Sequence, residues 1–332
     1  MMESVMLDFV AEASSKLLDF VTGIQFLFSP VILLGSFAIA SAYWFLRSSD
    51  KPFLAWLLPR ELYSHPSTRT DFKLNVVNIV LIGTGAISAF VLTPTIAVLI
   101  TDLLGGTLYP AENSNIRVIS CILVFVLIAD LTKFLQHYWH HFSPVFWPFH
   151  SVHHSAEVLT PVSFFRAHPF YYVVQQLMLS ATIGASIAVM TVFVLGPVPI
   201  WAFGAAAAVP FLYHVFGVHL RHSHIPIGYG RALEHILISP RMHQLHHSRD
   251  PAHFNRNFGY IFALWDWMFG TLCIPGPGET FEFGLVDEEG RSMQPHPGLR
   301  LALIEPFCKS GSVIVEKFSE RPGEAVEHIS RN

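Results

Sequence analysis

The sequence predicts an all-α fold: a multi-pass membrane helical bundle of about four to five spans, with a cytoplasmic helical cap carrying a di-metal histidine site. Three observations predict it. The chain is 52% hydrophobic and only 13% charged, against about 25% charged residues in soluble domains, so lipid is the solvent for much of its surface. Several uncharged apolar runs are long enough to cross a bilayer. And sixteen of the nineteen histidines fall between positions 137 and 253, while positions 1–136 hold only His65.

A transmembrane helix needs about 20 mostly apolar residues. Val21 to Leu46 and Leu74 to Ile100 carry no charge, and a third span is expected from about Ile116 to Leu135 around the apolar stretch Val118–Leu131. Phe170 to Leu195 is also uncharged, and Pro197 to Leu220 follows after a short Gly-Pro-Val-Pro turn, which reads as a helical hairpin. The loop after the first span holds Arg47, Lys51, Arg60, Arg69 and Lys73, whereas Asp102–Ser114 holds no Lys or Arg. The first loop is therefore expected on the cytoplasmic side. Counting spans from there puts residues 137–168 and 214–253, the two histidine-rich regions, on that same side. The implied organisation is membrane spans over 1–114, a catalytic region over 115–275 and a cytoplasmic extension over 276–332, in part disordered.

Composition also excludes some classes. A net charge of −4 argues against a nucleic-acid surface. Cys121, Cys273 and Cys308 form no CxxC pair, so neither a disulfide framework nor a thiolate zinc site is expected. Glu3, Asp8 and Glu12 precede any long apolar stretch, unlike the basic start of a cleavable signal peptide.

Three clusters carry the chemistry: His137-Tyr-Trp-His140-His141, His150-Ser-Val-His153-His154 and His243-Gln-Leu-His246-His247. Residues four apart share a helix face, so His137 and His141 can reach one metal, with His140 as a further candidate. Adjacent histidines on a helix diverge by about 100°. His153 and His154 can therefore serve different metals, and so can His246 and His247. His65, His235, His296 and His328 stand alone and read as ordinary polar residues. Imidazole suits zinc, copper, iron and nickel. The three motifs supply more imidazoles than the four ligands of a single structural zinc, so two ions are expected. Neither an HExxH protease motif nor paired Glu-x-x-His motifs occur. A histidine-rich two-metal site remains, and iron fits oxygen chemistry.

The motifs together resemble the fatty acid hydroxylase superfamily, also called the sterol desaturase family. Asp130 precedes the first cluster at that family's usual distance, Phe146-Trp147 precedes the second, and Arg166-Ala-His168-Pro169 is similar to its Arg-x-His-Pro. Ser239-Pro240 opens the third cluster, followed by Asn257-Phe-Gly259 and Trp265-Asp266-Trp-Met-Phe269-Gly270-Thr271. The resemblance covers about Asp130 to Pro275. It implies His137, His141, His150, His153, His154, His243, His246 and His247 as metal ligands, and His222 from the segment Arg221-His222-Ser-His224. Two departures stand out: Tyr138 follows His137 where the family has Arg, and His224 replaces its Asn. His140, His168, His214, His219 and His224 are further candidate ligands, and Asp130 and Asp266 are candidates to orient ligand imidazoles.

The resemblance implies an O2-dependent enzyme with two iron ions that hydroxylates or desaturates a membrane lipid. No haem, flavin or nicotinamide motif occurs, so electrons are expected from an external donor of ferredoxin or cytochrome type. The expected location is a bacterial inner membrane or endoplasmic reticulum. Two other classes are a metal transporter, which would hold its ligands near the bilayer midplane, and a zinc-dependent membrane hydrolase, disfavoured without HExxH.

Overall fold

A computed structural model describes residues 30–47, 50–87, 92–106, 115–198 and 200–319. Residues 1–29, which include Glu3, Asp8, Glu12 and the start of the first expected span, lie outside the described residues, as do 107–114 and 320–332 with His328.

The described residues are mostly helical. In chain order they form α1 (Pro30–Arg47), α2 (Phe53–Leu57), α3 (Arg60–Tyr63), α4 (Pro66–Gly83), α5 (Leu92–Leu103), α6 (Asn115–Phe142) and α7 (Trp147–His154). A 3-10 turn at Pro161–Phe165 leads to α8 (Pro169–Met190), which runs on through a π-helical turn at Thr191–Leu195. Then come α9 (Ile200–Val215), a 3-10 turn at Val218–His222, α10 (Arg231–Glu234), α11 (Pro240–His246) and α12 (Leu264–Phe269). A small antiparallel pair, β1 (Leu285–Val286) and β2 (Ser292–Met293), precedes α13 (Leu299–Ser319).

Among the described residues three helices are long and apolar enough to cross a membrane: Pro30–Arg47, Asn115–Phe142 and Pro169–Val194. In their apolar windows only 17%, 39% and 33% of residues are buried inside the protein, so their remaining apolar surface needs lipid rather than water. Leu92–Leu103 and Trp201–Val215 are shorter apolar helices. At about 1.5 Å per residue, the 28 residues of α6 extend some 42 Å. That exceeds the roughly 30 Å of hydrocarbon in a bilayer. The C-terminal turns of α6, which carry His137 and His141, can therefore project beyond it.

One expectation needs correcting. Leu74 to Ile100 is not one helix: α4 ends at Gly83, Thr84 N–H caps it on Val80 O, and Gly85 follows at φ 75°. A glycine in the left-handed region stops a helix without the steric cost of a side chain. α4 also buries Thr68, Thr70, Asp71, Asn75 and Asn78. Its polar face is therefore packed on protein; Asn78 Nδ2, for example, donates to the carbonyls of Phe165 and Ala167. The described part of the C-terminal extension carries α13, which packs on the protein. Ala302 of α13 is fully buried against Leu74 of α4 and Val152 of α7, with Leu299 and Leu303 beside them. They sit beside Leu301 and Ile304, which are exposed, so the apolar run by itself does not mark the buried face.

The two long helices α6 and α8 pack on each other, and α8 packs closely on α5 through Gly184. A Cβ at Gly184 would lie 2.8 Å from Thr93 O and 2.9 Å from Ile96 Cβ. Small residues at such crossings are what lets membrane helices approach. Gly184→Leu is expected to force α5 off α8 and to cost about 1–3 kcal/mol, read as a lowered thermal unfolding midpoint in detergent. An unchanged midpoint would contradict this packing.

Candidate metal centre

The first histidine cluster ends the long α6, whereas the elements that carry the other two are short and fixed by their ends. α7 has Pro148 in its first turn. α11 starts at Ser239, whose hydroxyl accepts the Met242 N–H at 3.2 Å, with Pro240 next. Helices of 8 and 7 residues are not stable alone. Burial of Val152, Met242 and Leu245 holds them in place.

The fold brings nine buried or nearly buried imidazoles into two abutting groups. His137 and His141 from α6, His150 and His154 from α7 and His246 from α11 form the first group. His153 from α7, His222 from the 3-10 turn, and His243 and His247 from α11 and its end form the second. Within each group every ligand atom lies within 4.8 Å of the others. Each adjacent pair divides: His154 and His246 fall in the first group, His153 and His247 in the second. The groups touch, since the His154 and His247 rings stack at 4.5 Å.

Do these residues fit metal ions? His222 Nε2 lies 3.2 Å from His153 Nε2, 3.0 Å from His247 Nε2 and 3.2 Å from His243 Nε2, and His243 and His247 are themselves 3.2 Å apart. In a neutral imidazole a given nitrogen either donates or accepts. The triangle of His222, His243 and His247 therefore cannot be satisfied by hydrogen bonds, because two of the three must present the same group to each other, lone pair to lone pair or N–H to N–H. A cation among them removes the conflict. With metal–nitrogen bonds of about 2.0–2.1 Å, neighbouring donors sit about 3 Å apart, which is the spacing seen. In the first group, the Nε2 atoms of His137, His141 and His246 are buried with no hydrogen-bond partner.

The outer nitrogens set the tautomers. His137 Nδ1 faces the Phe258 carbonyl at 3.0 Å, His153 Nδ1 the Arg166 carbonyl at 3.1 Å and His246 Nδ1 the Arg256 carbonyl at 2.7 Å. A carbonyl only accepts, so these Nδ1 atoms donate and each Nε2 lone pair points inward. Burial also pushes these groups toward the neutral form: His153 and His246 are lowered to about 3, and His150, His154, His222, His243 and His247 lie well below the ordinary value. Ligands that are already neutral bind a cation without first losing a proton.

Residues 122–271 match the family model described as fatty acid hydroxylase. That match supports the fatty acid hydroxylase superfamily for this region of the chain. Ornithine lipid hydroxylase OlsE of Rhizobium tropici is 25% identical over 209 residues, 62% of this chain and 55% of that protein. Alkylglycerol monooxygenase of Danio rerio is 28% identical over 176 residues, 48% of this chain and 34% of that protein. The Caenorhabditis elegans alkylglycerol monooxygenase is 25% identical over 163 residues, 48% of this chain and 28% of that protein. The chain thus spans about half the length of the first relative and about a third of the others. No solved structure matches.

Within this hydroxylase-family domain the five further candidate histidines lie outside both groups. His168 caps α8: its Nδ1 accepts the Phe170 N–H and its Nε2 donates to Leu303 O, so both nitrogens are engaged. His140 donates to Gln136 O at 2.8 Å, turned away from His141 by one helical position. His214 Nε2 meets Tyr260 Oη at 2.6 Å, His219 packs near Phe164 and Phe165, and His224 packs edge-on to Trp56.

Asp130 and Asp266 do not touch an imidazole; they reach the ligand rings through the backbone. Asp130 accepts Ile261 N–H, Phe262 N–H and Trp265 Nε1–H. Asp266 accepts Phe258 N–H, Gly259 N–H and the Thr271 hydroxyl at 2.6–2.7 Å. Both pin the 258–262 backbone, whose Phe258 carbonyl aims His137. Burial raises Asp266 to about 6 against those three donors, so it is anionic at neutral pH. A Cβ at Gly259 would come within 2.8 Å of the Asp266 carboxylate, so only glycine fits.

Arg166 plays the matching part for His153. It is fully buried, pairs with Asp71 at 2.7 Å, and donates to Val152 O, Ser155 Oγ and His296 O. It thereby ties α4, α7 and the C-terminal extension around the carbonyl that His153 uses. Sequence reasoning missed Phe258, Arg256 and the Arg166–Asp71 pair, because a carbonyl donated by the backbone leaves no residue signature.

Asp266→Asn is expected to lower metal affinity by about 10–100-fold while the protein stays folded; Co(II) titration of the purified variant checks it, and unchanged affinity would contradict the positioning role. The buried neutral imidazoles also make the metal-free protein acid-sensitive. Their folded pKa values lie below the unfolded value of about 6.5, so the unfolded chain takes up protons the folded one does not. Stability is complete above that pH and falls as pH drops below it. A thermal midpoint of apo protein that stays flat from pH 7 to pH 4 would contradict this burial.

Proposed function

We propose that this chain is a membrane-bound di-iron oxygenase that hydroxylates a lipid. The observation that carries the reading is the pair of touching imidazole groups, with a cavity of about 140 Å³ that reaches members of both. That cavity is lined by His137, His150 and His153 and by Phe164, Phe165 and Phe258. It also meets Tyr171, Tyr172 and Gln175 near the start of α8, a helix apolar enough to cross the membrane. An aliphatic chain suits such walls. The two relatives described as a hydroxylase and a monooxygenase favour hydroxylation over desaturation.

His137, His141, His150, His154 and His246 would hold one iron, and His153, His222, His243 and His247 the other. When bound, the irons supply O2 activation and oxidation of an unactivated C–H bond. The overall change consumes one O2, two electrons and two protons, and yields the alcohol and one water. The electrons come from an external donor of ferredoxin or cytochrome type. The protein's own part is positional. Carbonyls at Phe258, Arg166 and Arg256 hold three rings in one tautomer, and aromatic side chains around the cavity exclude water from the reacting carbon. The basic loop after α1 supports a cytoplasmic face for the site. The histidines lie past the end of the apolar part of α6, which disfavours a transporter.

Iron-reconstituted protein is expected to hold two irons per chain and to consume O2 with an electron donor and lipid. Comparative lipidomics of cells with and without the gene should reveal a lipid that gains one oxygen atom. His153→Ala and His246→Ala, one from each group, are expected to abolish product while the protein remains in the membrane. Full activity in either variant, or bound zinc with no redox activity after iron loading, would overturn the reading.

A further inference from the structure

The cavity beside the histidines carries more positive charge than an apolar chain requires. Lys133 and Arg221 both line it, and no Asp or Glu does. Arg221 is committed to the scaffold: its guanidinium donates to Tyr213 Oη and to Tyr260 O and is 2% exposed. Lys133 is different. Its Nζ lies over the Tyr260 ring at 3.8 Å, and among the described residues no carboxylate stands within 4.0 Å of it. Asp130 is three residues away on α6, but its two oxygens already accept three N–H groups from the 261–265 segment. Asp130 interacts with Lys133 only at longer range, so the ammonium lines the cavity without a carboxylate in contact.

A lysine near the end of a span ordinarily snorkels outward to the lipid phosphates. Lys133 does the reverse: it faces a cavity shared with His137, His150 and His153. Gln175 and Tyr172, which also line it, supply neutral polar groups beside it. An ammonium in a confined site of low dielectric is matched by an anion.

We propose that Lys133 binds an acidic head group, a phosphate or carboxylate, of the lipid on which the site acts. This rests on the oxygenase reading for the word substrate, but not for the binding itself. Lys133 and His137 are one helical turn apart, about 6 Å along α6, and line the same cavity.

The test reads binding on metal-free, full-length protein in neutral detergent, by energy transfer from tryptophan to pyrene-labelled lipids. The probes are phosphatidic acid, and phosphatidylcholine and diacylglycerol with the same chains. Wild type is expected to hold phosphatidic acid about tenfold more tightly than diacylglycerol. Lys133→Gln removes that preference with chain binding retained, and Lys133→Arg keeps it. Equal affinity of wild type for the acidic and neutral lipids, or a preference that survives Lys133→Gln, overturns the proposal. Displacement of labelled phosphatidic acid by millimolar inorganic phosphate alone would reveal a free-anion site and overturn it as well. The two readings separate cleanly. Head-group selectivity in a protein that performs no oxidation sinks only the oxygenase, and oxidation without selectivity sinks only the head-group site.

Discussion

The central constraint is the mutual approach of imidazole nitrogens that cannot satisfy one another. His222, His243 and His247 bring three Nε2 atoms within 3.0–3.2 Å, and neutral rings have no proton arrangement that serves all three. Left alone, such a cluster would repel itself or take up protons. It persists because other parts of the fold hold each ring from outside. A cation at the centre turns that conflict into attraction, so the arrangement makes physical sense as a metal centre and poorly as a polar core.

The supporting parts act through the backbone. Asp130 and Asp266 order one loop, and the loop's Phe258 carbonyl orients His137. Asn257 ties the same loop to Met242 O and Cys273 O through its side chain, and adopts φ 57° to do so. Arg166 and Asp71 serve the Arg166 carbonyl for His153 in the same way. Asp130 and His137 both sit on α6, so the helix that is long enough to cross the membrane also carries the loop's anchor. Displacement of α6 would move ligands and their supports together, which preserves the site's geometry within a lipid environment.

Much of this site was legible in the sequence, for a definite reason. HxxHH on a helix sends its adjacent histidines in divergent directions, so a split into two groups follows from helix geometry. The nine histidines expected as ligands are the nine that the fold gathers. The rest depended on contacts that leave no pattern. Carbonyl partners carry no side-chain identity. His168 follows Arg166 in a motif that looks metal-related, yet its ring is spent capping α8 and meeting α13. The break after Gly83 was hidden because the residues on both sides are apolar, and apolar runs alone do not separate one span from two packed helices. The packing face of the C-terminal helix was obscured because buried Ala302 lies in a run with exposed Leu301 and Ile304.

The cavities around the histidines divide the groups further. The Lys133 cavity touches His137, His150, His153, His222 and His243. A second cavity, of about 270 Å³ and lined by Trp147, Ser248, Asn255 and the β1 strand, touches His141, His154 and His246 instead. The two share no histidine, and only the first draws its walls from Tyr171 and Tyr172 of α8. The proposed lipid oxygenase would have to admit an apolar chain and still receive electrons, and two separate cavities would let each approach have its own polarity. The loop at 254–255 and the β1 strand line the second cavity together with His141 of α6, so this part of the cap shapes one of the two.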